Sequence, residues 1–132
     1  MSQVAALLDD PSTSIAVVGA TDDPAKYGGV VYRRMKGLGY RVFAVNPNRE
    51  SVDGDPAYPD LASLPETPTL VNFVVPPSVG AAVAEEAMGL GYTSLWFQPG
   101  AESDRLTRRL RDAGAEVLTD ACIMVRGRVV GT

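Results

Sequence analysis

The first segment that could do chemistry runs from Ser14 to Met35, SIAVVGATDDPAKYGGVVYRRM. It reads as a buried strand, a tight turn at Gly19 and the start of a helix. The N–H groups at a helix N-terminus, with the Thr21 hydroxyl and the Lys26 ammonium, can bind an anion such as a phosphate. The alternative is an ordinary turn in which Thr21 or Asp22 caps the helix and Lys26 lies in solvent.

This turn departs from the glycine fingerprint of dinucleotide-binding folds. When the fingerprint is aligned on Gly19, its second and third glycines fall on Thr21 and Pro24. The next strand should end in an acidic residue that binds the ribose, but it ends in VNPNRE, with Asn46 and Arg49. A cation there suits an additional phosphate on the ribose, although a plain surface charge is an equally good interpretation of Arg49.

Two further apolar runs end in residues that suit a ligand. The run that ends in VVPPSVG places Pro76 and Pro77 where the backbone has no N–H donors. Such a stiff, apolar segment suits a ring or a pantetheine-like arm, and it is also typical of a helix that starts with proline. The run that ends in WFQPG offers the Gln98 amide to a ligand amide or phosphate, and Trp96 is predicted to lie in the core.

Three remaining side chains have both a functional and a structural interpretation. Cys122 follows a fifth apolar run, beside Asp120, and could face a thiol ligand or be a buried, inert residue. With no histidine and no lysine nearby to lower the pKa of its thiol, the inert interpretation is favoured. Tyr27 and Tyr58 lie in loops, where they could stack on a base or simply pack.

The complete absence of histidine limits the chemistry further. It removes the commonest general base, the commonest metal ligand and every Ser–His or Cys–His pair. Any catalysis would need carboxylates, lysine, tyrosine or Cys122, and we predict no catalytic residue and no metal ligand.

Composition indicates one globular domain over residues 1–132. The chain is 45% hydrophobic with a net charge of −4, and its mixed charges argue against a nucleic-acid partner. A single cysteine allows no intrachain disulfide, and neither a signal peptide nor a membrane-spanning run is present. We expect a cytoplasmic protein with no membrane partner.

The candidate residues must be positioned by strands and helices, and the pattern of apolar residues predicts where these lie. Continuous apolar runs cover 15–20, 41–47, 70–76, 94–100 and, interrupted by Asp120, 115–125, as expected for strands buried on both faces of a parallel sheet. Helical spacing of apolar residues separates them. A short helix is predicted within the first ten residues, packed on a sheet edge, and another near Leu61–Leu64 in the proline-rich loop 48–69. The three longer helices are marked by Val31/Met35/Leu38, Val79/Val83/Ala87 and Leu106/Leu110/Ala113.

Strands that alternate with helices predict an α/β fold, Rossmann-like and doubly wound, with a mainly parallel sheet of about five strands. In such a sheet, ligands bind outside the carboxyl ends of the strands, near the point where the strand order reverses. The turns after the strands are therefore the predicted site.

From about Ser14 to Val125 the chain resembles the CoA-binding domain family, which is related to the N-terminal domain of the succinyl-CoA synthetase alpha subunit. The resemblance is carried, in order, by IAVVGATDDPAKYG, GYRVFAVNPNRE, VDGDPAYPDLASLP, VNFVVPP, LWFQPGAES and DACIMV. It implies coenzyme A or an acyl-CoA as the ligand. The implied binding residues are Gly19, Ala20, Thr21 and Lys26 at the phosphates, Asn46, Pro47 and Arg49 at the adenosine end, and Val75, Pro76, Pro77, Phe97, Gln98 and Pro99 along the ligand.

Two departures limit what the resemblance implies. The synthetase uses a phosphorylated histidine in a second domain, and this sequence contains no histidine. Small stand-alone relatives read Asp-Arg-Cys near the last strand, where this chain has Asp120, Ala121 and Cys122. We therefore expect a CoA-binding protein that is non-catalytic by itself, alone or serving a protein partner. The alternatives are an NAD(P)-binding redox sensor or small oxidoreductase, and an assembly protein that has lost its ligand.

Overall fold

The computed structural model describes residues 3–126, which form a twisted sheet with helices on both faces. The strands are β1 (Ser14–Val18), β2 (Arg41–Val45), β3 (Ser51–Val52), β4 (Asp55–Tyr58), β5 (Leu70–Phe73), β6 (Ser94–Phe97) and β7 (Glu116–Leu118). The helices are α1 (Gln3–Ala6), α2 (Tyr27–Gly37), α3 (Pro77–Gly89), α4 (Asp104–Asp112) and α5 (Ile123–Arg126), with 3₁₀ turns at Leu7–Asp9 and Leu61–Ser63.

The order of strands across the sheet is β3-β4-β2-β1-β5-β6-β7, and every neighbouring pair except β3 with β4 is parallel. The predicted Rossmann-like, mainly parallel α/β fold is confirmed. The predicted strand number is wrong, because the sheet has seven strands rather than about five.

The two additional strands form a short antiparallel hairpin inside the predicted loop 48–69. Asp53 (φ 52°) and Gly54 (φ 80°) form the turn between β3 and β4. Asp-Gly is a strong hairpin signal, but the strands beside it have only two and four residues and include Pro56. They are therefore too short to show an alternating pattern. The predicted short helix in this loop is confirmed as the 3₁₀ turn Leu61–Ser63.

The central strands are buried on both faces, which explains their continuous apolar sequence. In β1, which is buried at all five positions, Ile15 pairs with Val42 of β2 and Leu70 of β5. Ile15 and Val17 belong to the core beneath α2, and Ala16 and Val18 to the core beneath α3 and α4. The first four predicted runs are strands, each shorter than its run because the last residues turn away from the sheet.

The fifth run is a strand only in its first half. β7 ends at Leu118, the chain turns at Asp120 with φ 61°, and residues 123–126 are helical. The interruption that the sequence shows at Asp120 is therefore a change of element. It places Cys122 immediately before α5.

The predicted helices are all present, but of the three residues predicted to face the core from α3, only Ala87 is fully buried. Gly80, Ala84 and Ala87 are the buried residues of α3, whereas the Val79 side chain is 51% exposed and Val83 is half-buried. Small residues at the packing positions let the helix lie close to the sheet. The valines are thereby turned toward the carboxyl edge of the sheet.

In α4, Leu106 and Leu110 are buried as predicted, and Ala113 lies exposed beyond the end of the helix. At the N-terminus, α1 packs on the β6–β7 edge of the sheet, with Val4 and Leu8 in the same core as Trp96. The predicted positions of the N-terminal helix and of Trp96 are thus confirmed.

None of the helices among residues 3–126 is both long enough and apolar enough to cross a membrane.

Candidate functional site

A groove lies at the carboxyl ends of β1, β2, β5 and β6, where the order of the sheet reverses around β1. We call it the switch-point groove. It has two lobes, which share Val74, Val75 and Pro76. The α3 lobe encloses about 300 Å³ and is lined by Val18, Gly19, Lys26, Val45, Asn46, Pro47, Asn48, Pro59, Asp60, Val79, Val83 and Glu86 besides the shared residues. The β6 lobe encloses about 270 Å³ and is lined by Tyr27, Gln98, Pro99, Gly100 and Ala101 besides the shared residues.

Gly19 gives the groove its floor between β1 and β5. Its φ is +101°, and a Cβ built on it would lie 2.7 Å from Val75 Cγ1 and 2.8 Å from the Val74 carbonyl oxygen. Any side chain here would therefore be strained and would push the end of β5 away. The Gly19 N–H already donates to the Val45 carbonyl at 2.9 Å, which ties β1 to β2 below the groove.

The N-terminus of α2 packs directly against the turn that follows β1. A Cβ on Gly28 would lie 1.9 Å from the Gly19 carbonyl oxygen, and one on Gly29 would lie 2.2 Å from the Thr21 carbonyl oxygen. These two glycines therefore allow the helix to approach the turn, which is the close backbone contact that phosphate-binding turns use.

The α2 N-terminus has no side-chain cap, so the predicted alternative of a cap by Thr21 or Asp22 is wrong. Thr21 Oγ1 instead accepts from the Asp23 N–H at 3.1 Å, and Asp22 Oδ1 accepts from the Asp53 N–H at 2.9 Å. Lys26, the residue before the helix, is exposed and lines the α3 lobe. Ala20 and Thr21 are buried, with exposures of 0% and 3%, so their side chains do not face the groove.

Asn46 fixes the turn that follows β2. Its Nδ2 donates to the Ala20 carbonyl at 3.0 Å, and its Oδ1 accepts from the Asn48 N–H at 2.9 Å. The Asn46 side-chain amide thus joins the turn after β1 to the turn after β2. Pro47 lines the α3 lobe, whereas Arg49 is exposed and outside the lining of both lobes.

The end of β5 separates the two lobes, and the predicted helix that starts with proline is confirmed. Val75 and Pro76 line both lobes. Pro77 is the first residue of α3 and lines neither lobe; it contributes to a separate cavity between α3 and α4.

At the end of β6, the three predicted residues lie in different environments. Phe97 is 1% exposed and stacks on Phe73, with ring centroids 4.3 Å apart, so its ring belongs to the core. Gln98 is also 1% exposed, and its Oε1 accepts from the Ile123 N–H at 2.8 Å. Pro99 is exposed on the wall of the β6 lobe.

Cys122 lies behind Gln98 and Tyr27, two residues that line the β6 lobe. Its Sγ accepts from Gln98 Nε2 at 3.3 Å and lies 3.9 Å from the Tyr27 hydroxyl. Burial acts to raise the pKa of the thiol, but hydrogen bonds from Gln98, the Met124 N–H and Tyr27 outweigh it, so the pKa is lowered. The sequence gives no sign of this effect, because the donors are neutral and two of them come from distant elements.

The sequence missed the far wall of the α3 lobe. Val79, Val83 and Glu86 recur at i, i+4 and i+7 on one face of α3, and Pro59 and Asp60 stand before the 3₁₀ turn. The valines have the spacing of a core-facing stripe. Only the neighbouring small residues Gly80 and Ala84 indicate that a different face of α3 packs against the sheet. Among residues 3–126, no group of three or more Cys, Asp or Glu side chains could hold a metal ion.

Known proteins are similar to this chain over most of its length. The CoA binding domain family model matches residues 13–128. The chain is 30% identical over 114 residues to the uncharacterized protein YneT of Bacillus subtilis, which covers 86% of this chain and 84% of YneT. It is 32% identical over 72 residues to ADP-forming acetate–CoA ligase I of Archaeoglobus fulgidus, a match that covers 54% of this chain and 10% of the ligase.

The fold is also similar to solved structures. A conserved hypothetical protein from Pyrococcus furiosus superposes with a TM-score of 0.82 at 44% identity, covering 86% of this chain and 97% of that one. The family match spans most of the chain and includes every turn that forms the groove. The resemblance predicted from the strand ends is therefore confirmed, and the chain belongs to the CoA binding domain family.

Proposed function

We propose that this chain binds coenzyme A or an acyl-CoA in the switch-point groove and is non-catalytic by itself. The observation that carries the proposal is the groove itself: two mainly apolar lobes meet at Val74–Pro76, with the Lys26 ammonium and the uncapped α2 N-terminus beside them. Coenzyme A has matching parts: its phosphates would lie beside the cation and the helix N-terminus, and its aromatic base and its long, weakly polar arm would each enter one lobe.

The groove suggests one orientation of the ligand. The adenosine would enter the α3 lobe beside Asn46 and Pro47, and the pyrophosphate would lie at Lys26 and the α2 N-terminus. The pantetheine arm would cross Val75 and Pro76 into the β6 lobe, beside Pro99. In this arrangement Ala20 and Thr21 would act through their backbone, Gln98 would line the β6 lobe, and Phe97 would support its wall from behind.

An NAD(P)-binding function is the alternative, and the end of β2 argues against it. A dinucleotide site places a carboxylate there for the ribose diol, and this chain has Asn46 and Pro47. The remaining parts of the proposal are a single CoA-binding domain over residues 1–132, a cytoplasmic location, and no nucleic-acid or membrane partner. The protein partner of this chain would be one that uses the CoA bound in the groove.

Calorimetric titration of ligand-stripped protein with CoA, acetyl-CoA, NAD and NADP tests this function. We expect selective CoA binding with a Kd in the micromolar range, about −8 kcal/mol. Tight binding of NAD or NADP instead would replace the proposal with the redox alternative. Binding of none of these ligands would leave the assembly role.

The same titration with dephospho-CoA tests the role of Arg49. If Arg49 binds the 3′-phosphate, removing that phosphate should weaken binding by about 1–3 kcal/mol. The difference between the two ligands should disappear in Arg49→Gln. Arg108→Gln, which removes an exposed arginine on α4, is the matched control and should keep the difference. Equal affinity of the wild-type protein for CoA and dephospho-CoA would contradict the assignment.

A further inference from the structure

One apolar face of α3 is only partly covered by the core. Val79 is 51% exposed, Val83 is half-buried with part of its side chain against the core, and both line the α3 lobe. The fully buried residues of this helix are Gly80, Ala84 and Ala87. The two valines therefore form a wall that a ligand can cover.

Glu86 continues this wall at its inner end. α3 starts at the carboxyl end of β5 and must return along the sheet to reach the parallel strand β6, so Glu86 lies about 10 Å along the helix from Val79. Glu86 Oε1 accepts from the Leu61 N–H at 3.1 Å, and Oε2 accepts from the Ala62 N–H at 3.4 Å. These bonds hold the carboxylate in place, and each oxygen keeps a lone pair for a further donor.

The lining of the lobe also contains Pro47 and Pro59, whose rings are apolar and stiff. A flat ring fits against such a lining at small cost in side-chain entropy. Phosphates are disfavoured near Glu86 by charge repulsion, whereas the exposed Lys26 attracts them elsewhere in the lobe. The charges thus favour a ligand that places its base inside and its phosphates outside.

We propose that Glu86 makes the α3 lobe select a 6-amino purine over a 6-oxo purine. This inference rests on the proposed function, which puts the adenosine of the bound CoA in that lobe. An ionised carboxylate only accepts hydrogen bonds, so it can pair with the amino group of adenine. Hypoxanthine would place its O6, which only accepts, against the carboxylate, so the hydrogen bond from the amino group would be lost and two acceptors would face each other in a partly buried site.

The test compares the affinity of the wild-type protein for CoA and for the hypoxanthine analogue of CoA. We expect CoA to bind about tenfold or more tightly than the analogue. In Glu86→Gln the ratio should fall to within about threefold, because the glutamine can donate to the oxo group and still accept from Leu61. Glu85→Gln is the matched control, since Glu85 is exposed and paired with Arg109 at 2.9 Å. It should keep the wild-type ratio.

The outcomes separate this inference from the proposed function. Equal wild-type affinity for CoA and the analogue would overturn the role of Glu86 and leave CoA binding intact, and this comparison needs no variant to fold. An unchanged ratio in a folded Glu86→Gln variant would overturn it as well. Failure of the wild-type protein to bind CoA at all would overturn the proposed function and, with it, this inference.

Discussion

Gly19 is the residue on which the geometry of the groove most depends. Residues with a side chain rarely adopt its backbone conformation. Its Cα also lies so close to the end of β5 that there is no room for a methyl group. Gly114 has nearly the same φ, +100°, but a Cβ there would meet nothing within 4 Å. Comparing alanine substitutions at Gly19 and Gly114 therefore separates the free-energy cost of the backbone conformation from that of the close contact.

We predict that Gly19→Ala lowers the free energy of unfolding more than Gly114→Ala does, by about 1–3 kcal/mol. Both variants share the backbone strain, of about 1–3 kcal/mol, and only the first must displace Val74 and Val75. Urea denaturation of the two variants and the wild type measures the difference. Equal losses would mean that the end of β5 moves freely, and the groove would then not depend on this contact.

Sequence patterns predict some of the residues that line the groove but not the directions of their side chains. Gly19, Lys26, Asn46, Pro47, Val75 and Pro76 were predicted from strand ends and line the α3 lobe. Gln98 was predicted for its amide, yet that amide is buried against Cys122 and α5. A strand end shows which edge of the sheet a residue is near, but the side-chain direction depends on partners far along the chain.

At the scale of elements, the β3–β4 hairpin is joined to α2 by a cluster of charges. Lys36 Nζ lies 2.8 Å from Asp55 Oδ2 and 3.1 Å from Asp53 Oδ2. The Tyr32 hydroxyl donates to Asp55 Oδ2 at 2.8 Å. The hydrogen bonds from Lys36 and Tyr32 lower the pKa of Asp55 below its ordinary value of 3.8. Burial and the hydrogen bond to Asp55 raise the pKa of Tyr32.

These pKa shifts predict a pH-dependent stability. A lowered pKa in the folded state means that the Asp55 carboxylate stabilises the fold above about pH 4, and that this contribution is lost as the pH falls through the lowered pKa. Asp55→Asn should therefore lower the free energy of unfolding at pH 7, with a smaller difference from the wild type near pH 3. Denaturation curves at both pH values measure it.

The control for this experiment is Asp112→Asn, which removes an exposed carboxylate from α4, on the opposite half of the sheet. It corrects for the change in net charge. A difference between Asp55→Asn and the wild type that is equal at pH 7 and pH 3 would contradict the role of the charged Asp55.

At the scale of the whole molecule, the groove exists because the strand order reverses around β1. The turns after β1 and β2 come from one half of the sheet, and those after β5 and β6 from the other. A ligand that spans both lobes contacts both halves. Its binding should therefore stabilise the folded protein as a unit.

We predict that CoA at 100 times its Kd raises the free energy of unfolding by about 2.7 kcal/mol. Thermal or urea denaturation with and without CoA measures this change, and NAD at the same concentration is the control. The shift should follow the logarithm of the CoA concentration. Identical denaturation curves with and without CoA would contradict specific binding to the folded state.

The sequence by itself determined the class of the fold and predicted the edge of the sheet at which the candidate site lies. Apolar runs that end in glycine or proline, separated by helical spacing, leave few alternatives to a parallel sheet whose strand ends meet at one edge. The family was also evident from those ends. The histidine-free composition determined which chemistry is unavailable.

Only the tertiary structure decided which side chains face the groove. The hairpin was hidden because strands of two and four residues carry no periodicity. The spacing of Val79 and Val83 predicts a core-facing stripe, but Val79 is exposed and Val83 packs only partly on the core, because a helical stripe shows its spacing and not what it faces. Glu86 lies 25 and 24 residues along the chain from Leu61 and Ala62, whose N–H groups fix it, so this contact depends on the path of the chain between them. Contacts of that kind come from packing, which local sequence patterns do not encode.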